Sequence, residues 1–196
     1  MAETQTSMQD AILSAATECL SLYGVQRTSM TDVAKRARVS RASMYVHFDS
    51  KEALFRAVVQ RVHDELITAA HAAAQRDGSF QERLAATLRA RWLSLIEQIA
   101  RSPHGAELLA EDARIGGDLS ADARRKTMDL LVSMFEAADR AGELDLHGVG
   151  ITPRQAAEIA YDGVRGLMHR EEPPSAAQFR VHVKVFSDVL VRGLGG

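Results

Sequence analysis

Apolar residues recur every three or four positions along most of the 196-residue chain, the spacing that places them on one face of an α-helix. Turn-forming residues interrupt this pattern at Gly24 and within residues 77–79, 101–105, 116–117, 142–153 and 173–175. No internal repeat or low-complexity tract is visible along the chain. The pattern therefore predicts an all-α protein of about nine helices.

One segment near the C-terminus carries a conflicting signal. Val181, Val183 and Val185 alternate with polar residues, which is the pattern of a half-buried β-strand. We predict a helix there instead, because the segment runs about 20 residues without proline. The final element is therefore expected to be the last helix of the bundle.

Serine residues mark where four of the predicted helices begin. Ser29 is followed three residues later by Asp32, which fits a capping box at the start of a short helix. Ser40 is a favourable N-cap for a second short helix that runs to about residue 47. Ser50 and Ser120 are predicted to cap two longer helices. Two short helices separated by a tight turn are typical of a helix-turn-helix, which places one helix in the major groove of DNA.

The charge of this segment differs in sign from the charge of the whole chain. Residues 27–51 contain six Arg or Lys and two Asp, a net charge of +4, whereas the chain as a whole carries −2. A polyanion is attracted by a local positive surface and does not require a basic protein overall. The charge pattern alone also fits a solvated surface rich in arginine, but together with the helix pattern it favours DNA binding.

Residues 8–55 closely resemble the DNA-binding end of the tetracycline-repressor (TetR) family of bacterial transcription regulators. The matching positions are Gly24, Thr28, Ser29, Val33, Ala34, Val39, Ser40, Tyr45, His47, Phe48, Ser50, Lys51, Glu52, Leu54 and Phe55. The chain departs from the family at Arg38, where glycine is usual just before the turn. A residue there is expected to adopt a positive φ, which costs a non-glycine residue about 1 kcal/mol.

The resemblance implies a helix-turn-helix domain over residues 1–50 and an effector-binding and dimerisation domain over residues 51–196. It implies phosphate contacts at the start of the second helix, base contacts from the exposed start of the recognition helix, backbone contacts from its aromatic positions, and a phosphate clamp at the fourth helix. These roles fall on Thr28 and Ser29, on Arg41 and Ser43, on Tyr45 and His47, and on Lys51, with Ser40 and Arg38 at the turn. Tyr45 also fits a cover for the core edge, and His47 an ordinary surface histidine.

The resemblance further implies that the middle helices bind a small effector. The candidate pocket residues are large apolar side chains at helical spacing, namely Trp92, Leu95, Ile96, Met128, Leu131, Met134 and Phe135. Such a stripe also fits plain hydrophobic core. An apolar lining favours a hydrophobic or aromatic effector.

The last two helices are implied to pair with their counterparts in a second subunit. The predicted interface residues are Ala160, Gly163, Val164, Leu167, Phe179, Val183, Phe186 and Leu190. The alternative is that these two helices pack on each other inside one chain. A homodimer would place two recognition helices in successive major grooves, about 34 Å apart, on a palindromic site.

Other classes of protein are disfavoured by what the sequence lacks. It has no Gly-rich phosphate loop, no G-x-S-x-G and no H-E-x-x-H, so neither an enzyme nor a metal site nor a cofactor is expected. No apolar run reaches the roughly 20 residues of a membrane span, and the single cysteine, Cys19, fits a reducing cytoplasm. The sequence therefore predicts a cytoplasmic, ligand-responsive DNA-binding regulator, most simply a repressor that lies on the nucleoid when bound to its operator. The competing hypothesis is an effector-binding helical dimer without specific DNA recognition.

Overall fold

The computed structural model describes residues 2–168 and 174–195, and this part of the chain contains α-helices and no β-strand. The helices, in chain order, are α1 (Ala2–Arg27), α2 (Met30–Ala37), α3 (Arg41–His47), α4 (Lys51–Ala74), α5 (Phe80–Arg101), α6 (Gly105–Ile115), α7 (Gly117–Arg140), α8 (Leu146–Val149), α9 (Pro153–Met168) and α10 (Ala176–Gly193). The predicted all-α class is confirmed. The helix beyond the expected nine is α8, a single turn within the glycine-rich segment that follows α7.

The first helix is interrupted where the sequence predicted its end. Gly24 has φ 77° and ψ 172°, a conformation that is essentially restricted to glycine. The chain resumes a helical path for three more residues and then enters α2. The carbonyl oxygen of Gly24 accepts hydrogen bonds from the hydroxyl of Thr28 at 2.7 Å and from its backbone N–H at 3.3 Å. Thr28 therefore stabilises the kink through its two hydrogen bonds to the Gly24 carbonyl.

One predicted helix start was wrong. We expected Ser120 to cap the helix that follows the two glycines at 116–117, but α7 begins at Gly117. The N–H of Ser120 donates to the carbonyl of Gly116 at 2.8 Å, so Ser120 already lies in the first turn. Helix formation through Gly117 is possible because glycine at a helix terminus costs little compared with glycine in the interior.

The C-terminal segment is helical, as the absence of proline suggested. Ser175 caps α10 through a capping box in which its hydroxyl oxygen accepts the N–H of Gln178 at 3.3 Å and the Gln178 side chain accepts the N–H of Ser175 at 2.9 Å. Val183 is fully buried, whereas Val181 and Val185 are exposed, as expected for residues on different faces of a helix. The alternating valines do not form a strand, because a capped helix begins at Ala176 and Val183 packs in the core on one face of that helix.

The chain divides into two compact units, residues 1–63 with 98–121 and residues 64–97 with 122–196. The core of the first unit is built from α1 to α4 and includes Ile12, Ala16, Val33, Met44 and Phe48. The core of the second unit contains larger side chains: Phe80, Leu84, Leu88, Trp92, Leu131, Phe135, Tyr161 and Phe179. The boundary expected near residue 50 separates a DNA-binding role from an effector-binding and dimerisation role, and it stays a prediction. No helix among the described residues is long and apolar enough to cross a membrane.

Candidate nucleic-acid interface

The start of α2 is fixed by the predicted capping box. The hydroxyl oxygen of Ser29 accepts the N–H of Asp32 at 3.2 Å, and the carboxylate of Asp32 accepts the N–H of Ser29 at 3.1 Å. The hydroxyl of Ser29 also donates to the Asp32 carboxylate at 2.5 Å, and this hydrogen bond, followed by the one from the Ser29 N–H, lowers the pKa of Asp32. The hydroxyl of Ser29 is thus occupied in capping, while its position at the exposed end of α2 leaves the helix N-terminus open to an anion.

The turn between α2 and α3 is made by the residue that departs from the family pattern. Arg38 has φ 57° and ψ 36°, the left-handed conformation that was expected there. Its N–H donates to the carbonyl of Lys35 at 3.3 Å, and the N–H of Val39 donates to that of Ala34 at 3.0 Å, so the last carbonyls of α2 are satisfied. No carboxylate of the described chain forms an ion pair with Arg38, whose side chain is exposed.

Apolar packing sets how α3 lies against α2. Val33 and Met44 are completely buried, and Ala34 and Phe48 nearly so. The small side chain of Ala34 allows the two helices to approach closely. With Met44 and Phe48 anchored in the core, the residues between and before them on α3 are turned outward.

The exposed face of α3 carries one cation, one aromatic ring and one aliphatic side chain. The guanidinium carbon of Arg41 lies 5.7 Å from the centre of the Tyr45 ring, one helical turn away. Ser40 caps the helix by accepting the N–H of Ser43 at 2.9 Å, and the two hydroxyl oxygens are also 2.9 Å apart. Val46 is 74% exposed, the most exposed large apolar residue described. Sequence reasoning missed Val46, although an apolar residue outside the core stripe of a short helix was a signal for it.

The remaining predicted contact residues differ in accessibility. Thr28 is only 4% exposed and its hydroxyl is used by Gly24, whereas His47 is half-buried, with its ring centre 6.5 Å from that of Phe48. Lys51 begins α4, and its Nζ donates to the carbonyl oxygen of Gln26 at 3.2 Å. The ammonium group is therefore held beside the last turn of α1, just after the kink at Gly24.

Not every cation of this segment is available to DNA. Arg36 donates from Nε to the carboxylate of Glu18 on α1 at 2.5 Å, and this partner raises the pKa of the guanidinium group. Because its charge is neutralised within the unit, Arg36 adds little to the field of the exposed face. Arg41 has no carboxylate partner in the described chain and keeps its full charge. The positive charge available to DNA is thus smaller than the net +4 of residues 27–51 suggested, and fewer residues carry it.

Residues 12–58 match the family described as bacterial regulatory proteins, tetR family. Residues 12–58 thus form a TetR-family domain. This match and the similarity to a transcriptional activator support the predicted class, a DNA-binding transcriptional regulator. The TetR-family match covers α2 and α3 entirely and includes the residues that form the exposed face described above.

Three known proteins are similar to this chain over most of its length. The HTH-type transcriptional activator FasR from Mycolicibacterium smegmatis is 26% identical over 163 residues, which are 83% of this chain and 73% of FasR. A TetR-family regulator from Pectobacterium atrosepticum superposes with a TM-score of 0.71 at 20% identity, covering 99% of this chain and 97% of that one. The SmeT–triclosan complex superposes with a TM-score of 0.68 at 22% identity, covering 95% and 90%. SmeT is the repressor of a multidrug efflux pump of Stenotrophomonas maltophilia.

Six of the seven candidate effector residues lie in the core of the second unit, and Leu95 does not belong to that cluster. Trp92, Ile96, Met128, Leu131, Met134 and Phe135 are buried, and Leu95 is half-buried. The rings of Trp92 and Tyr161 meet edge to face with centres 5.3 Å apart. All of the candidates except Leu95 are thus brought together, as a pocket requires, and these six also form part of the hydrophobic core.

The candidate dimer residues fall into two groups. Ala160, Val164, Phe179 and Val183 are fully buried inside the second unit, while Leu167, Phe186 and Leu190 are half-buried and Gly163 is exposed. A Cβ atom at Gly163 would lie 2.5 Å from Cζ of Phe186, so this glycine lets the ring of Phe186 pack on α9. The apolar side chains that α9 and α10 leave exposed are Ile159, Val181, Val185 and Val189. Sequence reasoning had named the inner faces of the two helices, because apolar spacing alone does not separate an inner from an outer face.

Proposed function

We propose that this regulator is a homodimeric repressor that binds a palindromic operator and is released by a small apolar or aromatic effector. The observation that carries the DNA-binding part is the outer face of α3, where Arg41, Tyr45 and Val46 are exposed beside a capped, buried scaffold. These side chains stand where a recognition helix presents its residues to the edges of the bases.

The chemistry of each side chain suggests its partner in the groove. The guanidinium of Arg41 fits a bidentate hydrogen bond to O6 and N7 of guanine, worth about 1–3 kcal/mol of discrimination. Tyr45 keeps that guanidinium in place through the cation–π contact. Val46 supplies an apolar surface for the methyl group of thymine. Lys51, at the N-terminus of α4, adds a positive charge for a phosphate.

The DNA assignment is tested by operator binding at several salt concentrations. The operator is first selected from genomic fragments, beginning with the DNA upstream of the protein's own gene. Arg41→Ala is expected to reduce the preference for the operator over base-substituted sites, whereas Lys51→Ala weakens binding to all sites alike and lowers the salt slope by about one. Arg76→Ala removes an exposed arginine of the second unit and serves as the matched control. Unchanged operator binding in both Arg41→Ala and Lys51→Ala contradicts the assignment.

The dimer is proposed to form on the exposed faces of α9 and α10. Val181, Val185 and Val189 follow one another at intervals of four residues on α10, and Ile159 is exposed on α9. A stripe of exposed branched side chains marks a surface that another protein covers. In a homodimer the same stripe would meet its copy about a two-fold axis.

Sedimentation across a range of concentrations tests the dimer. Val185→Glu places a charge in the proposed interface and is expected to shift the chain towards the monomer. Val149→Glu introduces the same charge at an exposed apolar residue of α8 and is expected to leave the dimer intact. A Val185→Glu protein that remains as dimeric as the control excludes this face.

The effector site is proposed to lie around Trp92 in the second unit. Support comes from the apolar character of the residues gathered there and from the triclosan bound by SmeT. The effector would bind better to a state that fits DNA poorly, and operator affinity would fall by the same coupling factor. FasR is named as an activator, so a reporter assay with the operator upstream of a promoter decides the direction of regulation.

Trp92 is the only tryptophan, so its fluorescence reports directly on the proposed site. Triclosan serves as the first aromatic probe, followed by a panel of apolar ligands. We expect saturable quenching and release of operator DNA at matching ligand concentrations. The absence of quenching across the whole panel contradicts the proposed location.

A further inference from the structure

The kink at Gly24 changes the hydrogen-bond partners of the backbone groups that follow it. The carbonyl of Gly24 is bound by Thr28, as described above. The next exposed peptide groups belong to Gln26, and both receive side chains from elsewhere in the first unit. The N–H of Gln26 donates to Oε1 of Glu107 at 2.8 Å, and its carbonyl accepts Nζ of Lys51 at 3.2 Å. Gln26, two residues after the kink, therefore connects a glutamate of α6 with the lysine proposed to bind phosphate.

Glu107 is held in place by its own surroundings. It lies in the first turn of α6, and its Oε2 is 3.4 Å from Nδ1 of His104. The loop before α6 is fixed to α1 by Ser102, whose hydroxyl donates to the carbonyl of Ser21 at 2.8 Å and accepts the N–H of His104 at 3.1 Å. The carboxylate thus reaches Gln26 from a supported position.

The close approach of this segment depends on Gly24. A Cβ atom there would lie 2.9 Å from Nδ1 of His104 and would overlap the carboxylate of Glu107. The glycine therefore serves two purposes, since it provides the backbone conformation of the kink and the space for α6. The contact joins residues 81 positions apart in the sequence.

We propose that Glu107 is a positioning residue for operator binding. By binding the N–H of Gln26, its carboxylate fixes the peptide segment whose carbonyl orients the ammonium group of Lys51. An ionised acceptor makes a stronger hydrogen bond to a backbone N–H than a neutral one. Without it the segment after the kink moves more freely, and Lys51 spends less time in the position that meets a phosphate. This inference rests on the DNA-binding role of Lys51 proposed above.

Operator affinity is measured for the full-length wild type and for Glu107→Ala, Glu107→Gln, Lys51→Ala and the double variant Glu107→Ala/Lys51→Ala. Loss of one hydrogen bond leads us to expect an affinity about three- to tenfold lower for Glu107→Ala. Glu107→Gln retains an oxygen acceptor but loses the charge, so its affinity is expected to lie between those of the wild type and Glu107→Ala. The double variant is expected to bind like Lys51→Ala alone, because the effect of Glu107 passes through Lys51. Glu136→Ala removes an exposed glutamate of α7 and is the control.

A second measurement follows the contact without DNA. Hydrogen exchange of the Gln26 amide is expected to be faster in Glu107→Ala than in the wild type or Glu136→Ala. The positioning role is overturned if Glu107→Ala binds the operator as tightly as the wild type does. It is also overturned if the affinity losses of Glu107→Ala and Lys51→Ala multiply in the double variant. If Lys51→Ala itself binds normally, the phosphate contact proposed for Lys51 fails as well. A defect in Lys51→Ala with normal Glu107→Ala overturns the positioning role alone.

Discussion

Arg38 offers the most direct test of how this turn is built. Its left-handed conformation costs a residue with a side chain roughly 1–2 kcal/mol, whereas glycine adopts it freely. Glycine in turn loses about 0.5–1 kcal/mol more backbone entropy on folding. The difference predicts that Arg38→Gly stabilises the first unit by roughly 0.5–1 kcal/mol. Arg38→Ala keeps the unfavourable conformation and is expected to be no more stable than the wild type.

The pair of variants separates conformation from charge. Both remove the same cation, so both are expected to weaken operator binding equally and to lower its salt slope by about one for each subunit. Only Arg38→Gly is expected to increase the free energy of unfolding, measured by urea denaturation with a probe in the first unit. If Arg38→Gly is not more stable than Arg38→Ala, the strain assigned to this turn is refuted. If the two differ in operator affinity, the turn geometry contributes to recognition beyond the charge.

Four further predictions concern the same unit. Gly24→Ala is expected to cost about 1–3 kcal/mol of unfolding free energy, and more than Gly142→Ala, whose added Cβ meets open space; equal losses would contradict the argument. Ser29→Ala is expected to cost about 1 kcal/mol through loss of the cap, again by urea denaturation. The cap lowers the folded-state pKa of Asp32. The stabilisation from the Asp32 carboxylate is therefore present above the unfolded pKa of about 3.9 and is lost as pH falls through the folded-state pKa. The free energy of unfolding of Asp32→Asn, measured over the same pH series, should lack this step. Burial raises the pKa of the Cys19 thiol, so a thiol reagent is expected to react slowly with the folded protein at pH 7 and rapidly after denaturation.

The helix-turn-helix was readable from the sequence because its determinants are local. The capping box joins Ser29 to Asp32, and the cap of α3 joins Ser40 to Ser43, each over three residues. The left-handed conformation at Arg38 was expected from the family resemblance, in which glycine is usual at this position. Such contacts depend on the neighbouring sequence only, which is why the bounds of α2 and α3 and the outward position of Arg41 agree with expectation.

The second unit shows where apolar spacing stops being informative. The sequence placed Ala160, Val164, Phe179 and Val183 in an interface with a second subunit, and the structure buries all four inside one chain. Helical spacing identifies an apolar face but does not say which neighbour covers it. α10 also has exposed valines on another face, and only the packing of α9 and α10 distinguishes the two.

By itself, the sequence determined the all-α class, the two short helices, their caps and the basic segment, because each depends on residues a few positions apart. The tertiary structure decided which of those side chains are exposed and free of internal partners, and so available to bind DNA. It paired Arg36 with Glu18, used the hydroxyl of Thr28 at the kink, exposed Val46, and joined Glu107 to Gln26 across 81 positions. These outcomes depend on distances between separate helices, which are set by how their side chains pack and which no local pattern in the sequence specifies.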